Sequence, residues 1–322
     1  MKQSRKTSLR YCPLLYLFLI VGTHSALAQT DIDGIMMSKK NLCIGPMYGY
    51  SSWKNYWEGT LKRENLNLGT VSSQMYSVMG AYGVTDKLNI LFSAAYVRTK
   101  ASAGTLHGMK GFQDASLWAK YVPLEKKIGK GDLSIIGLAG VSAPLSNYVA
   151  DYLPLSIGLR SKTLSLRAMA DYQVGKLFAT LSGTYVFRDN IKIDRDAYYT
   201  TEMHNTNKVE MPDALSFNFR AGYRHNDIIA EAFLDNWTTL GGFDITRNNM
   251  PFPSNKMNAT RLGANVKYHT PNLEWLQLVV NGSHVIAGRN VGQSTSINAG
   301  LFIVFSVAKK QVPDSSPKKV QQ

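Results

Sequence analysis

Along most of this chain apolar and polar residues alternate one by one. The stretch Leu215-Ser216-Phe217-Asn218-Phe219-Arg220-Ala221-Gly222-Tyr223-Arg224 shows the pattern most clearly, and Leu164–Tyr172 and Leu262–Tyr268 repeat it. Successive side chains of a strand point to opposite faces, so such a segment has one greasy and one wet face. Twelve segments of this kind can be placed, at 43–53, 70–83, 87–98, 112–123, 132–144, 162–173, 176–189, 214–225, 227–239, 259–269, 275–287 and 296–307. Those at 43–53, 132–144 and 227–239 alternate least cleanly. Their lengths suit a tilted strand crossing a bilayer, ~9–11 residues.

The connections alternate as well. Short links fall at Gly83–Asp86, Val174–Gly175, Asn226 and Thr270–Glu274, with a longer one at Leu124–Gly131. Long links fall at Lys54–Gly69, Thr99–Gly111, Leu145–Ser161, Asn190–Asp213, Leu240–Asn258 and Gly288–Thr295. Short turns at one end and long loops at the other mark outer-membrane barrels, whose periplasmic turns are short. Aromatics agree: Tyr82, Tyr121, Tyr172, Tyr223 and Tyr268 each precede a short turn, and Phe305 takes the same place in the last segment. On the apolar face they read as a periplasmic girdle, with Trp53, Trp57, Tyr96, Phe187 and Trp237 as its outer counterpart. A soluble β-sandwich also alternates, but it does not explain an aromatic at the same end of every second strand. The expected fold is all-β, a transmembrane antiparallel up-and-down β-barrel of about twelve strands.

The termini fit export. Lys2, Arg5, Lys6 and Arg10 precede the apolar run Tyr11–Val21, and Ala26-Leu27-Ala28 is a small-x-small cleavage site. The run is too short for a spanning helix of ~20 residues and has the layout of a cleaved signal peptide over 1–28. The barrel is then expected over 29–307, in the cell outer membrane and in contact with its lipids. Asn298-x-Gly300-x-x-Ile303-x-Phe305 has the form by which barrel-assembly machinery engages a terminal strand. Residues 308–322 are polar and lysine-rich and read as a disordered periplasmic tail.

Composition narrows the function. The formal charge is +14, of which the signal segment, with four basic and no acidic residues, carries four. Lys and Arg are spread singly among apolar residues, so nucleic acid is not an expected partner. One cysteine, Cys43, follows the signal segment, so no internal disulfide forms. The wet faces place Asp114, Lys120, Arg167, Asp171, Arg188, Asn218, Arg220, Arg224, Glu231, Asp235, Arg261, Asn265 and Lys267 in the lumen, with Gln277. In a narrow lumen opposite charges pair, because an isolated buried charge is costly. The set is then either a structural polar plug or an arginine track that guides anions, in which case replacing Arg220 and Arg224 shifts selectivity away from anions.

Enzyme motifs are nearly absent: there is no phosphate-binding loop, dinucleotide fingerprint, nucleophile elbow or His-Glu-x-x-His helix. Ser283 and His284 are adjacent and therefore face opposite sides of a strand. Asp194-x-Asp196 is too small a cluster for a calcium cage. No cofactor, metal or catalytic residue is expected.

Three stretches carry a resemblance: Trp53-Lys-Asn-Tyr56-Trp57-Glu58-Gly59, Tyr82-Gly83-Val84-Thr85-Asp86-Lys87-Leu88-Asn89 and Gly111-Phe112-Gln113-Asp114-x-Ser116-Leu117. They resemble the outer-membrane barrel family labelled MetA-pathway of phenol degradation, whose Bacteroidota members are called transporters. Asn248–Pro253 and Gly288–Ser294 are similar to the same subgroup. The resemblance implies passive uptake of small compounds, aromatic or apolar ones among them, and no catalytic or binding residues carry over. The alternatives are a structural or loop-mediated barrel with no open pore, and a membrane-embedded lipolytic enzyme.

Overall fold

The computed structural model describes residues 30–307 apart from 226, 247–248 and 274. The expected signal peptide and C-terminal tail lie outside the described residues.

Twelve strands close into one antiparallel barrel. They are β1 (Asn41–Trp53), β2 (Val71–Gly83), β3 (Leu88–Ala101), β4 (Lys110–Ile128), β5 (Gly131–Pro144), β6 (Thr163–Val174), β7 (Leu177–Arg188), β8 (Ala214–His225), β9 (Ile228–Thr239), β10 (Asn258–His269), β11 (Leu276–Arg289) and β12 (Thr295–Ser306). Each strand pairs with its chain neighbours, and β12 returns to β1 in the register Asn41↔Ser306 through Ser52↔Thr295. Closure leaves no strand edge unpaired, which a lipid-facing sheet requires because hydrocarbon offers no hydrogen bonds.

The greasy face points outward. Phe217 and Phe219 remain 55% and 48% exposed, and Leu164, Leu166 and Val266 are exposed beside them. Between these residues Asn218 and Arg220 are buried inside. At the turn end Tyr121, Tyr172, Tyr268 and Phe305 are exposed on the same outer face, with Tyr82 and Tyr223 half-buried there. The ring of aromatics expected from sequence is therefore present.

The outer counterpart is only partly there. Tyr96 and Phe187 face outward, Tyr96 against Phe112 and Phe187 against Tyr185. Trp53 and Trp237 instead face inward and line a common cavity. Trp57 is buried, on a hairpin (Asn55–Glu58 with Leu61–Glu64) whose backbone is tied to Val291. Trp53 and Trp237 lie two residues from the inward-facing Ser51 and Asp235 and keep their face, so the girdle assignment followed residue type and not the alternation, while Trp57 belongs to no barrel strand.

Two further differences have clear causes. Leu124–Gly131 is not a loop: β4 and β5 continue pairing to Ile128↔Gly131, beyond a bulge between Tyr121 and Leu124. Pro123 sits inside that bulge, where no ladder donor is missed. The turn is made at Gly129, with φ of 60°. Secondly, the long loops form a packed cap. Ala150, Ile191, Ile193, Tyr198, Val209, Met211 and Phe252, from three different loops, make one buried apolar cluster.

Candidate functional site: the barrel lumen

The largest departure from the sequence reading is at the start of the chain. The first strand, expected at 43–53, starts at Asn41, but the sequence reading did not anticipate that residues 30–37 fold into the barrel ahead of it. Asp33 organises this segment. Its Oδ2 accepts hydrogen bonds from the backbone N–H and hydroxyl of Thr30, both at 2.8 Å, and its Oδ1 accepts one from the Ile35 N–H at 3.2 Å. That turn gathers carbonyls around the ammonium of Lys120, which donates to the oxygens of Thr30, Asp33 and Ile35 at 3.1, 2.7 and 2.8 Å. Lys120 also pairs with the Asp33 carboxylate at 3.2 Å, and Lys267, from the facing side of the barrel, pairs with it at 2.5 Å. Lys120 is 0% exposed, so only this saturated set of oxygens makes its charge tolerable there. Next to it, Arg167 donates to the Asp31 carbonyl at 2.6 Å and carboxylate at 3.0 Å.

Apolar contacts hold the segment on both flanks. Met37 packs on Cys43, Val279, Phe302 and Val304, while Met36 packs on the cluster of Val122, Ile136, Leu138 and Met169. These inner-face residues are apolar, contrary to the expectation of a water-facing lumen along every strand. The inner face is greasy where the chain's own beginning covers it. Gly34 allows a close approach: a Cβ there would lie 2.2 Å from the Asp171 carboxyl carbon.

Beside this segment, and from there toward the loops, the charges pair wall to wall. Arg224 meets Asp171 at 3.1 Å and Gln173 at 2.9 Å, and stacks over Phe178. Arg220 pairs with Glu231 and donates through Nε to the Asn218 oxygen at 2.9 Å. Asn218 donates to Asp235 at 3.2 Å, Asp235 holds Arg261 at 2.5 Å, and Asn265 donates to Glu231 at 2.9 Å. Asp114 accepts a hydrogen bond from Tyr148 at 2.7 Å, on a loop folded into the barrel mouth with Leu155 and Ile157 buried. Arg188 stacks over Trp237, its guanidinium carbon 5.3 Å from the ring centroid. Gln277 is buried beside His269, 3.0 Å away.

The structure thus brings the sequence-derived set together inside the barrel, in two tiers. Lys120, Lys267 and Arg167 anchor the N-terminal segment. Asp171, Asn218, Arg220, Arg224, Glu231, Asp235, Arg261 and Asn265 form a mutually neutralising belt. Sequence reasoning missed Asp31 and Asp33. A signal was available: the set holds seven cations against four carboxylates, and Thr30-Asp31-Ile32-Asp33-Gly34 is an acidic turn directly before the first strand.

The belt changes one expectation. Arg220 and Arg224 each already sit on a carboxylate, so neither offers a free charge to a passing anion. Replacing both with Gln leaves Glu231 and Asp171 buried without their partners, a destabilising change of about 3–5 kcal/mol per broken pair. The expected result is lower heat resistance in detergent gels, with ion selectivity moving little while the barrel stays folded.

Open space remains within the lumen. At the loop end a cavity of about 370 Å³ is lined by Trp53, Trp237, Arg261 and Ser294. A second of about 220 Å³ shares Ser51 and Trp53 with it and reaches Met75 and Ile157. A third of about 190 Å³ is lined by Met79, Leu91 and Trp118 and ends on Thr30 and Asp31.

Ser283 and His284 do not meet: Ser283 faces Ser296 inside at 2.9 Å, and His284 contacts Thr295 and Gln293. No cluster of three or more metal-ligating side chains occurs among the described residues, and Asp194 and Asp196 are exposed.

No family model matches the chain. No curated protein matches it. Among solved structures, the COG4313 outer membrane channel from Pseudomonas putida F1 superposes with a TM-score of 0.66 at 17% identity, covering 86% of this chain and all of that one. The translocator domain of the autotransporter NalP from Neisseria meningitidis gives a TM-score of 0.43 at 12% identity, over 85% of this chain and 90% of that one. At 17% identity the likeness to the channel bears on the fold alone, a closed antiparallel β-barrel.

Proposed function

We propose that this chain is an outer-membrane channel for passive uptake of small molecules, held shut at rest by its own N-terminal segment. Three separate openings in the lumen carry the reading: two share Ser51 and Trp53 at the loop end, and the third borders Thr30 and Asp31 of the segment anchored by Asp33. Channel activity is what the similar Pseudomonas protein is named for, and the same role is proposed here. The lining of Trp53, Met75, Met79, Leu91 and Trp118 suits aromatic or apolar solutes, as does the resemblance to the phenol-degradation barrel family. Export by the 1–28 signal, cleavage before Gln29 and insertion through Asn298, Gly300, Ile303 and Phe305 belong to the same proposal. The short turns, the start of the first strand and the end of the last then face the periplasm.

Planar-bilayer recording of purified protein tests the reading. Brief, infrequent openings are expected from the intact chain. A folded protein that passes neither ions nor small aromatic solutes into liposomes, even after the N-terminal segment is removed, would favour a loop-mediated role for the packed cap.

A further inference from the structure

Six of the seven lumen cations are matched. Asp33 takes Lys120 and Lys267, Asp31 takes Arg167, Glu231 takes Arg220, Asp171 takes Arg224 and Asp235 takes Arg261. Arg188 is the seventh. Among the described residues no carboxylate forms an ion pair with its side chain, and its Nη1 is buried with no hydrogen-bond partner. The nearby Asp213 is engaged elsewhere: it accepts the Arg188 backbone N–H at 2.9 Å and the Tyr185 hydroxyl at 2.9 Å. An unmatched guanidinium in a partly dry site is costly, and such a group marks the place of a missing anionic or water partner.

The position of Arg188 says what kind of partner. It stacks over Trp237, and Trp237 lines the mouth cavity together with Trp53. Gly292 packs so tightly on Trp53 that a Cβ there would come within 2.5 Å of the indole, which fixes that ring in place. Arg261 lines the same cavity, and Asp235 engages only its Nε and Nη2, leaving Nη1 for another acceptor. The mouth therefore brings together two indoles and two guanidiniums, with Asp235 and Asp213 beside them, so it is near neutral overall and its capacity for an anion rests on the unengaged Nη1 groups of Arg188 and Arg261. Its volume of about 370 Å³ is in the range of small-ligand pockets, ~300–1,000 Å³.

We infer that the mouth cavity is a binding site for aromatic monocarboxylates, whose ring lies between Trp53 and Trp237 and whose carboxylate is held by Arg188 and Arg261. Planar guanidiniums match carboxylates with charge-assisted hydrogen bonds, and indole faces match aromatic rings. Neutral phenols satisfy the rings and leave the charge unmet; aliphatic acids do the reverse. As a statement of what permeates, the inference rests on the channel reading; as equilibrium binding it stands alone.

The test is titration calorimetry of the detergent-purified full mature chain with sodium benzoate, phenol and sodium hexanoate. Benzoate is expected to bind saturably, about tenfold or more tighter than either of the others, the factor that corresponds to one net charge-assisted contact. Arg188→Gln is expected to remove that advantage over phenol, and Arg188→Lys to restore part of it. Trp237→Leu should weaken benzoate and leave hexanoate unchanged. Retained heat-modifiable gel mobility shows that each variant is folded. Phenol or hexanoate binding as well as benzoate, or benzoate binding untouched by Arg188→Gln in a folded protein, overturns the inference. Because binding is read without a membrane, a non-conducting protein that still binds benzoate sinks the channel and keeps the site, and a conducting one that does not sinks the site alone.

Discussion

Removing residues 30–39 from the mature chain opens the barrel, and Asp33→Ala alone opens it in part. In the bilayer, the truncated protein is expected to show a steady resolvable current where the intact chain is mostly silent. The physical reason is the anchoring of the segment. Asp33 receives two ammonium groups and three further donors on two carboxylate oxygens. Deleting it leaves Lys120 and Lys267 facing each other across a dry space, a loss of about 3–5 kcal/mol for a buried pair stripped of one partner. Met36 and Met37 still hold the flanks, so Asp33→Ala gives flickering rather than full opening. Gly34→Val should mimic it by collision with Asp171. The segment should withstand acid. Burial alone would raise the Asp33 carboxyl, but Lys267 and Lys120 outweigh it and hold the group well below the ordinary carboxylate range. A depressed value means that its stabilisation is fully present above the ordinary range and is lost only as pH falls below it toward the folded value. Closed-state occupancy should therefore be flat from pH 8 to 5. A current in the intact protein equal to that of the truncated one would show that the segment does not occlude.

The second large effect is on the outer wall. Phe219→Arg, on a side chain 48% exposed at mid-strand, should destabilise the barrel by ~2–4 kcal/mol, the range for a basic residue at the bilayer midplane. Its neighbour Asn218 makes a poor control despite facing inward. It is buried between Arg220 and Asp235, and a third guanidinium there would meet repulsion. Ser51→Arg is the better comparison, since Ser51 borders two inner cavities that can accept the chain. Urea unfolding in lipid vesicles should separate the two substitutions clearly; equal losses would mean that Phe219 does not face lipid.

What the sequence determined by itself was the wall. Strict alternation through Leu215–Arg224, the paired turns and the tyrosines before them specify strand number, facing and chain direction, because each depends on neighbours along the chain. A slip of one residue would put Phe217 and Phe219 into the lumen, so the register is strongly encoded. The contents of the barrel depended on contacts across it. Lys120 and Lys267 are far apart in sequence and meet only because an acidic turn that precedes both of them folds back between them. Met75, Met79, Val279 and Phe302 read as interruptions of the wet face, and become intelligible once a folded loop and the N-terminal segment cover them. Trp53 and Trp237 are of the residue type that builds girdles, yet they share the inner face of Ser51 and Asp235, and their packing against Gly292 and Arg188 shows what they do there. Period two reports which side of its own strand a residue takes. It carries no information on which segment of the chain fills the space that the strands enclose, and here that filling decides whether the barrel conducts.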